Sequence, residues 1–284
     1  MGKLIRIGTR ESQLAVWQAT RVQTLLQEHN INATLVLIKS DGDIDLQTPL
    51  YEMGVQGIFT RSLDVALLNN KIDIAVHSMK DVPTQLPAGI AQAAVLQRAS
   101  HKDLFVYKPS ALSHYDWQLL NADATSFESK FDLRDAAFTI ATSSTRRRAQ
   151  WLNRFPNHDI QNLRGNINTR LKKVEESNWH GALFAAAGVE RIAVRPEHSI
   201  DIQWMLPAPA QGAIMVVARQ ADEDCLQACA VLNHVATATC TKVERDFLRG
   251  YGYQGSASRQ GWSRYACHGC LNDWMGEKIA QLHE

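Results

Sequence analysis

Along the first half of the chain, short apolar runs alternate with longer amphipathic stripes, the pattern of successive βα units. Leu4 to Ile7 reads as a strand. Thr9 and Ser12 can cap a helix from Ser12 to Glu28, with Leu14, Trp17, Val22, Leu25 and Leu26 as its apolar stripe. Thr34 to Ile38 is the next strand, and the polar loop Ser40-Asp41-Gly42-Asp43-Ile44-Asp45 follows it. A helix from Arg61 to Leu68 leads into an apolar strand from Ile72 to Val76. Further strands are expected at Ile90 to Leu96, Asp103 to Tyr107, Thr139 to Ala141, Ile160 to Leu163, Ala182 to Ala187 and Ala213 to Ala218. Ser110 to Asp135 carries neither period and reads as a surface stretch. From Ala221 the chain is helical through Leu248 and then loses its pattern.

Composition narrows the class. A chain of 284 residues with 45% hydrophobic and 21% charged residues fits a soluble protein of roughly two or three domains. A net charge of +1 supplies no global field to draw in a long polyanion. The start reads as a strand rather than a secretion signal, and no apolar run reaches membrane-spanning length, so a cytoplasmic location is expected. All five cysteines (Cys225, Cys229, Cys240, Cys267, Cys270) follow residue 224, and an odd count argues for free thiols. Cys225 and Cys229, one helical turn apart, are expected to pack within a helix, as is Cys240. The lone Cys267-x-x-Cys270 pair is a weak metal or redox signal, and no metal is expected.

Two segments carry candidate chemistry. His77-Ser78-Met79-Lys80-Asp81-Val82-Pro83 places an ammonium beside a carboxylate at the end of a buried strand, where open α/β sheets bind ligands. Such a carboxylate is held ionised and suits proton steering, although a surface ion pair capping the strand has the same sequence. Residues 146–173 hold eight Arg or Lys (Arg146, Arg147, Arg148, Arg154, Arg164, Arg170, Lys172, Lys173) against one acid, Asp159. Thr142-Ser143-Ser144-Thr145, between strand and helix, adds hydroxyls and free backbone N–H groups at the same place. Fixed arginines suit a small molecule with several carboxylates. Phosphate or nucleic acid remains an alternative, and the lack of interleaved aromatics counts against the latter.

Together these segments resemble the porphobilinogen deaminase (hydroxymethylbilane synthase) family. The resemblance extends to Gly8-Thr9-Arg10-Glu11-Ser12, Gly57-Ile58-Phe59-Thr60-Arg61, Leu163 to Arg170, Ala187-Gly188-Val189-Glu190-Arg191 and Pro209-Ala210-Gln211-Gly212-Ala213, in order over residues 3–249. It implies an α/β fold with two doubly wound lobes like those of type II periplasmic binding proteins, plus a small third α/β domain, truncated or divergent. The divisions expected are 1–98 with 200–219, then 99–199, then 220–284. It also implies joining of four porphobilinogen units into a linear tetrapyrrole with loss of ammonia, on a covalently held dipyrromethane cofactor, by a monomer that binds neither nucleic acid nor membrane. By resemblance Asp81 is the catalytic carboxylate. Arg10, Ser12, Ser78, Lys80, Thr142, Ser143, Ser144, Arg146, Arg147, Arg164, Arg170 and Arg191 bind cofactor and substrate, with Phe59 over the cleft.

One departure stands out. After Glu244-Arg245 the family carries its cofactor cysteine in a glycine-rich loop, and here Gly250 to Gly261 contains none, with Ser256 at the expected attachment position. A serine hydroxyl is a far weaker nucleophile than a thiolate. The competing reading is therefore an inactive paralogue or frameshifted product that at most binds small polycarboxylate pyrroles.

Overall fold

The computed structural model describes residues 4–39, 59–108, 117–121, 133 and 136–250. The loop from Ser40 to Asp45, most of Ser110 to Asp135, and everything beyond Gly250, including Ser256, Cys267 and Cys270, lie outside the described residues.

The first sheet contains β1 (Ile5–Thr9), β2 (Ala33–Leu37), β3 (Ile74–Ser78), β4 (Ile90–Val95) and β10 (Ile214–Arg219), in the order β2-β1-β3-β10-β4. The second contains β5 (Asp103–Tyr107), β6 (Thr139–Ala141), β7 (Asp159–Gln161), β8 (Gly181–Ala185) and β9 (Ser199–Ile202), in the order β7-β6-β8-β5-β9. The two orders are equivalent, and in each the fourth strand is antiparallel to both neighbours while the first three run parallel. That reversed strand, β5 or β10, is the first one laid down when the chain arrives from the other sheet. The parallel strands are joined within their own lobe by helical crossovers, as parallel pairing requires. This is the two-lobed α/β architecture expected from the sequence.

Helices cover both faces of each sheet, so the strands read as nearly unbroken apolar runs. On the first sheet, α1 (Gln13–Glu28) packs Ala19, Val22 and Leu26 against Ile5, Ile7, Ile74 and Val76. On the other face, α2 (Arg61–Leu68) packs Leu63 and Leu67 against Ile72, Ala75 and Met215. In the second sheet β5 alternates, sending Phe105 to Trp151 and Phe155 of α3 (Thr145–Arg154) and Leu104 and Val106 to the other face. That face is closed by α4 (Ile167–Glu176) and α5 (Ala186–Arg191) through Val174 and Val189. Beyond β10, Cys225 and Cys229 of α6 (Glu223–Ala230) join the core of the first sheet, and α7 (Val235–Gly250) runs past β4.

Several expectations shift in detail. The strand read at Ile72 to Val76 lies two residues later because its ladder with β10 continues to the Ser78–Ile214 pair. The run read as strand to Ala187 turns helical at Ala186. β9 (Ser199–Ile202) pairs with β5 at the edge of the second sheet. Cys225 and Cys229 are buried as expected, but Cys240 is exposed on α7 instead of packed; all three are free thiols.

Candidate active site

The chain crosses between the sheets twice, from β4 to β5 and from β9 to β10, and the candidate residues gather around these crossings. β3 ends at Ser78, and Met79–Asp81 form one 3-10 turn. Met79 and Val82, three residues apart, are buried and hold the turn down, leaving Lys80 and Asp81 half-buried between them. Met79 N–H donates to Ala213 O at 3.0 Å. Arg245 of α7 grips the same segment from behind, donating to Val82 O at 2.9 Å and Pro83 O at 2.5 Å. Among the described residues, no ion pair joins Lys80 to its neighbour Asp81. Lys80 Nζ instead donates to Gln211 Oε1 at 3.4 Å. The bland reading of these two residues as a surface ion pair therefore does not hold.

Across the crossings stands a buried charge cluster centred on Asp103, the first residue of β5. Its carboxylate pairs with Arg147 Nη2 at 2.7 Å and Arg146 Nη2 at 2.6 Å, and accepts from Gln211 Nε2 at 2.9 Å. Burial raises the Asp103 carboxyl, but the two arginines and Gln211 outweigh it and hold it below the usual carboxylate range. Arg147 Nη1 donates to Leu183 O at 3.1 Å, and Arg146 Nη1 donates to Leu206 O.

The predicted hydroxyls turn out to hold the framework. Ser144 caps α3 by accepting from Arg147 N, and Thr142 Oγ1 accepts from Ser144 N at 3.2 Å. Ser143 Oγ accepts from Leu163 N at 2.9 Å and donates to Leu163 O at 2.6 Å, pinning this loop to the Arg164 turn. Ser12 caps α1, and Ser78 exchanges hydrogen bonds with Gln18 of that helix. Gly165, at φ +112°, makes the turn after buried Arg164, and its carbonyl accepts from Arg170 Nε at 2.7 Å. Arg170 is lowered to about 10 by burial and by Arg147, against the pull of Asp81, so the second-lobe arginine and the first-lobe carboxylate share one electrostatic neighbourhood.

Arg10 stacks over the Phe59 ring at 4.4 Å. Burial, aided by Arg10, lowers nearby His77 to about 4, so its imidazole is neutral at physiological pH. Arg191 donates to Gly212 O at 2.6 Å and lies 5.7 Å from the Trp17 ring centroid, bridging α5 to α1. The basic run is not one patch. Helical rotation takes Arg154 to Trp204 and Lys172 to a surface pair with Glu176. Asp103, Gln211 and Arg245 join these residues without having been singled out as site residues; Gln211 and Arg245 lie in segments that carry the family resemblance, whereas Asp103 reads only as the start of a strand. Arg98 and Glu244 form a further pair, 2.5 Å apart, with Glu244 also accepting from Ala210 N at 2.6 Å; this ties both crossings to α7.

Lys80 gives the first prediction. Burial lowers it to about 8, opposed by Asp81. An ammonium binds carboxylates only while protonated, so affinity for a small polycarboxylate should fall as pH rises through about 8. Calorimetric titration between pH 6.5 and 9.5 with the pyrrole dicarboxylate that the sequence resemblance implies measures it; affinity constant to pH 9.5 would contradict this role for Lys80.

This geometry defines a two-lobed α/β protein with two acids, Asp81 and Asp103, set among cations where the chain crosses between lobes. The family model described as "Porphobilinogen deaminase, dipyromethane cofactor binding domain" matches residues 5–227. The porphobilinogen deaminase of Chloroherpeton thalassium is 38% identical over 254 residues, which cover 88% of this chain and 75% of that protein. A probable porphobilinogen deaminase of Methanococcoides burtonii is 41% identical over 245 residues, covering 84% and 72%. Among solved structures, an ABC-transporter periplasmic substrate-binding protein of Coxiella burnetii is similar at 12% identity, covering 84% of this chain and 96% of that one, with a TM-score of 0.45. The chain belongs to the porphobilinogen deaminase family.

Proposed function

We propose that this protein is a hydroxymethylbilane synthase, joining four porphobilinogen molecules head to tail and releasing one ammonia for each unit added. The observation that carries this reading is Asp81, held on the rigid turn after β3 in the field of Lys80 and Arg170. In each addition the C–N bond of the aminomethyl group breaks, and the pyrrole nitrogen's electrons stabilise the cation left on the methylene carbon. A fixed carboxylate beside the pyrrole N–H stabilises that positive charge without having to reorganise. The methylene carbon then bonds to the free α-carbon of the ring that ends the growing chain, and that carbon loses its proton; Asp81 holds the ring N–H groups throughout. Lys80, Arg10, Arg164, Arg170 and Arg191 meet the acetate and propionate groups, and Arg146 and Arg147 add positive potential from behind.

The matched domain is the cofactor-binding domain of its family. The donor set fits the acidic side chains of dipyrromethane, with Lys80, Arg164 and Arg170 as the residues that would hold them. When bound, dipyrromethane supplies the pyrrole α-carbon from which the chain is extended. Two of the three described thiols are poor anchors: Cys225 and Cys229 are buried in the first-lobe core, and burial pushes Cys229 up to about 12. The expected anchor position, Ser256, lies outside the described residues. Among the described residues no helix is long and apolar enough to cross a membrane. A cytoplasmic monomer divided near residues 98, 200 and 220 is the form we propose.

Incubation with porphobilinogen, read by ammonia release and by intact mass, tests the reading. Ammonia release together with a mass increment for covalent dipyrromethane is expected. An unmodified mass with no ammonia released would overturn it.

A further inference from the structure

We propose that Asp103 is a positioning residue for the cation array of the cleft: it orients Arg146 and Arg147 and, through the Gln211 amide, is coupled to Lys80 in the other lobe. This deepens the functional reading above and rests on it for the role of those cations. Asp103 and Gln211 are both fully buried. Asp103 Oδ1 accepts from Arg147 Nε at 3.0 Å, from Arg147 Nη2 at 2.7 Å and from Gln211 Nε2 at 2.9 Å; Oδ2 faces Arg146 Nη2 at 2.6 Å. Gln211 is fixed in turn by donating to His101 O at 2.7 Å and accepting from Lys80 at 3.4 Å. A continuous hydrogen-bonded path therefore runs from the turn after β3, over the second crossing, to the start of β5 and the first turn of α3.

The stoichiometry matters. One carboxylate shared by two guanidiniums fixes their direction and leaves the pair net positive, so orientation does not cost the field that an anionic substrate needs. A neutral amide at Gln211 extends the path to Lys80 without adding charge. In a buried setting these charges stay coupled. The groups facing Lys80 are Asp81 on its own turn, Asp103 from β5, and Arg146 and Arg147 from α3. Both acids favour its proton and both arginines oppose it.

The test measures acylation of Lys80 by acetic anhydride against pH, read by mass spectrometry of its peptide, alongside calorimetry with porphobilinogen. Asp103→Asn should lower the half-labelling pH of Lys80 by about 1 unit and weaken porphobilinogen about 10-fold. Asp103→Glu, which restores the charge, should return that midpoint towards the wild-type value. If Asp103→Asn does not fold, Gln211→Met keeps every charge and breaks the link together with the amide's bonds to His101 O and Lys102 O, and should weaken porphobilinogen about fivefold. An unmoved Lys80 midpoint in a folded Asp103→Asn protein overturns the proposal, as does undiminished affinity in Gln211→Met when the wild type binds. A wild type that binds no porphobilinogen, with the Asp103→Asn shift present, overturns the functional reading and leaves the coupling standing.

Discussion

Asp81→Asn is expected to slow ammonia release from porphobilinogen by about 10²–10³-fold, the range seen when one preorganised electrostatic group is removed from a catalytic site. Asparagine keeps the size of the side chain and replaces a full negative charge with a neutral amide. The loss should therefore fall on kcat, because the positive charge on the ring develops only as the C–N bond breaks. Affinity measured by calorimetry should change by less than about threefold, since in the proposed function the substrate carboxylates meet Lys80 and the arginines instead. Stability should hold, because among the described residues the Asp81 side chain makes no hydrogen bond that folding depends on. Steady-state ammonia release, calorimetry and a thermal melt on one preparation separate these effects. Activity within a few-fold of wild type would remove Asp81 from the chemistry, and a proportional rise in KM would recast it as a binding group.

The placement of Asp81 was legible in the sequence because a local rule governs it. An apolar run, then two buried residues flanking a charged pair, then a proline, fixes the end of a strand within a few residues. The two-residue shift of β3 arose because strand ends are set by the partner's ladder, here the Ser78–Ile214 pair, which no local pattern contains. The turn to helix at Ala186 was hidden for a different reason. An alanine run is as apolar as a strand core and as helix-prone as any, and only packing decides, with Gly188 close against Ile167. Asp103 could not be seen at all. Its partners stand 44 and 108 residues away, and in the sequence it is merely the first residue of a strand. The arginine run misled in the opposite sense: charge counted along the chain suggested one patch, while helical rotation divided it between the cleft and the surface.

Gly212→Ala should be the most damaging small substitution among the described residues that touches no substrate. Gly212 sits at φ +86°, a conformation that costs an L side chain about 1–3 kcal/mol. A Cβ there would also stand 2.5 Å from Ser100 O and 2.7 Å from Ala99 O, both backbone atoms of the other crossing. Backbone cannot rotate aside as a side chain can, so the two crossings must separate, and the combined loss should reach about 3–5 kcal/mol. For a chain of this size that is a fall of roughly 10 °C in Tm. Separation would also reach the site, because Gly212 O accepts from Ala99 N and Arg191, and neighbouring Gln211 links Lys80 to Asp103. Porphobilinogen affinity should therefore drop along with Tm. Gly250→Ala is the matched control: a Cβ at that helical position meets nothing within 4 Å, so it should be neutral or stabilise by up to about 1 kcal/mol. Melts of the two variants side by side decide the matter, and equal Tm values would mean that the crossings are not held in this close contact.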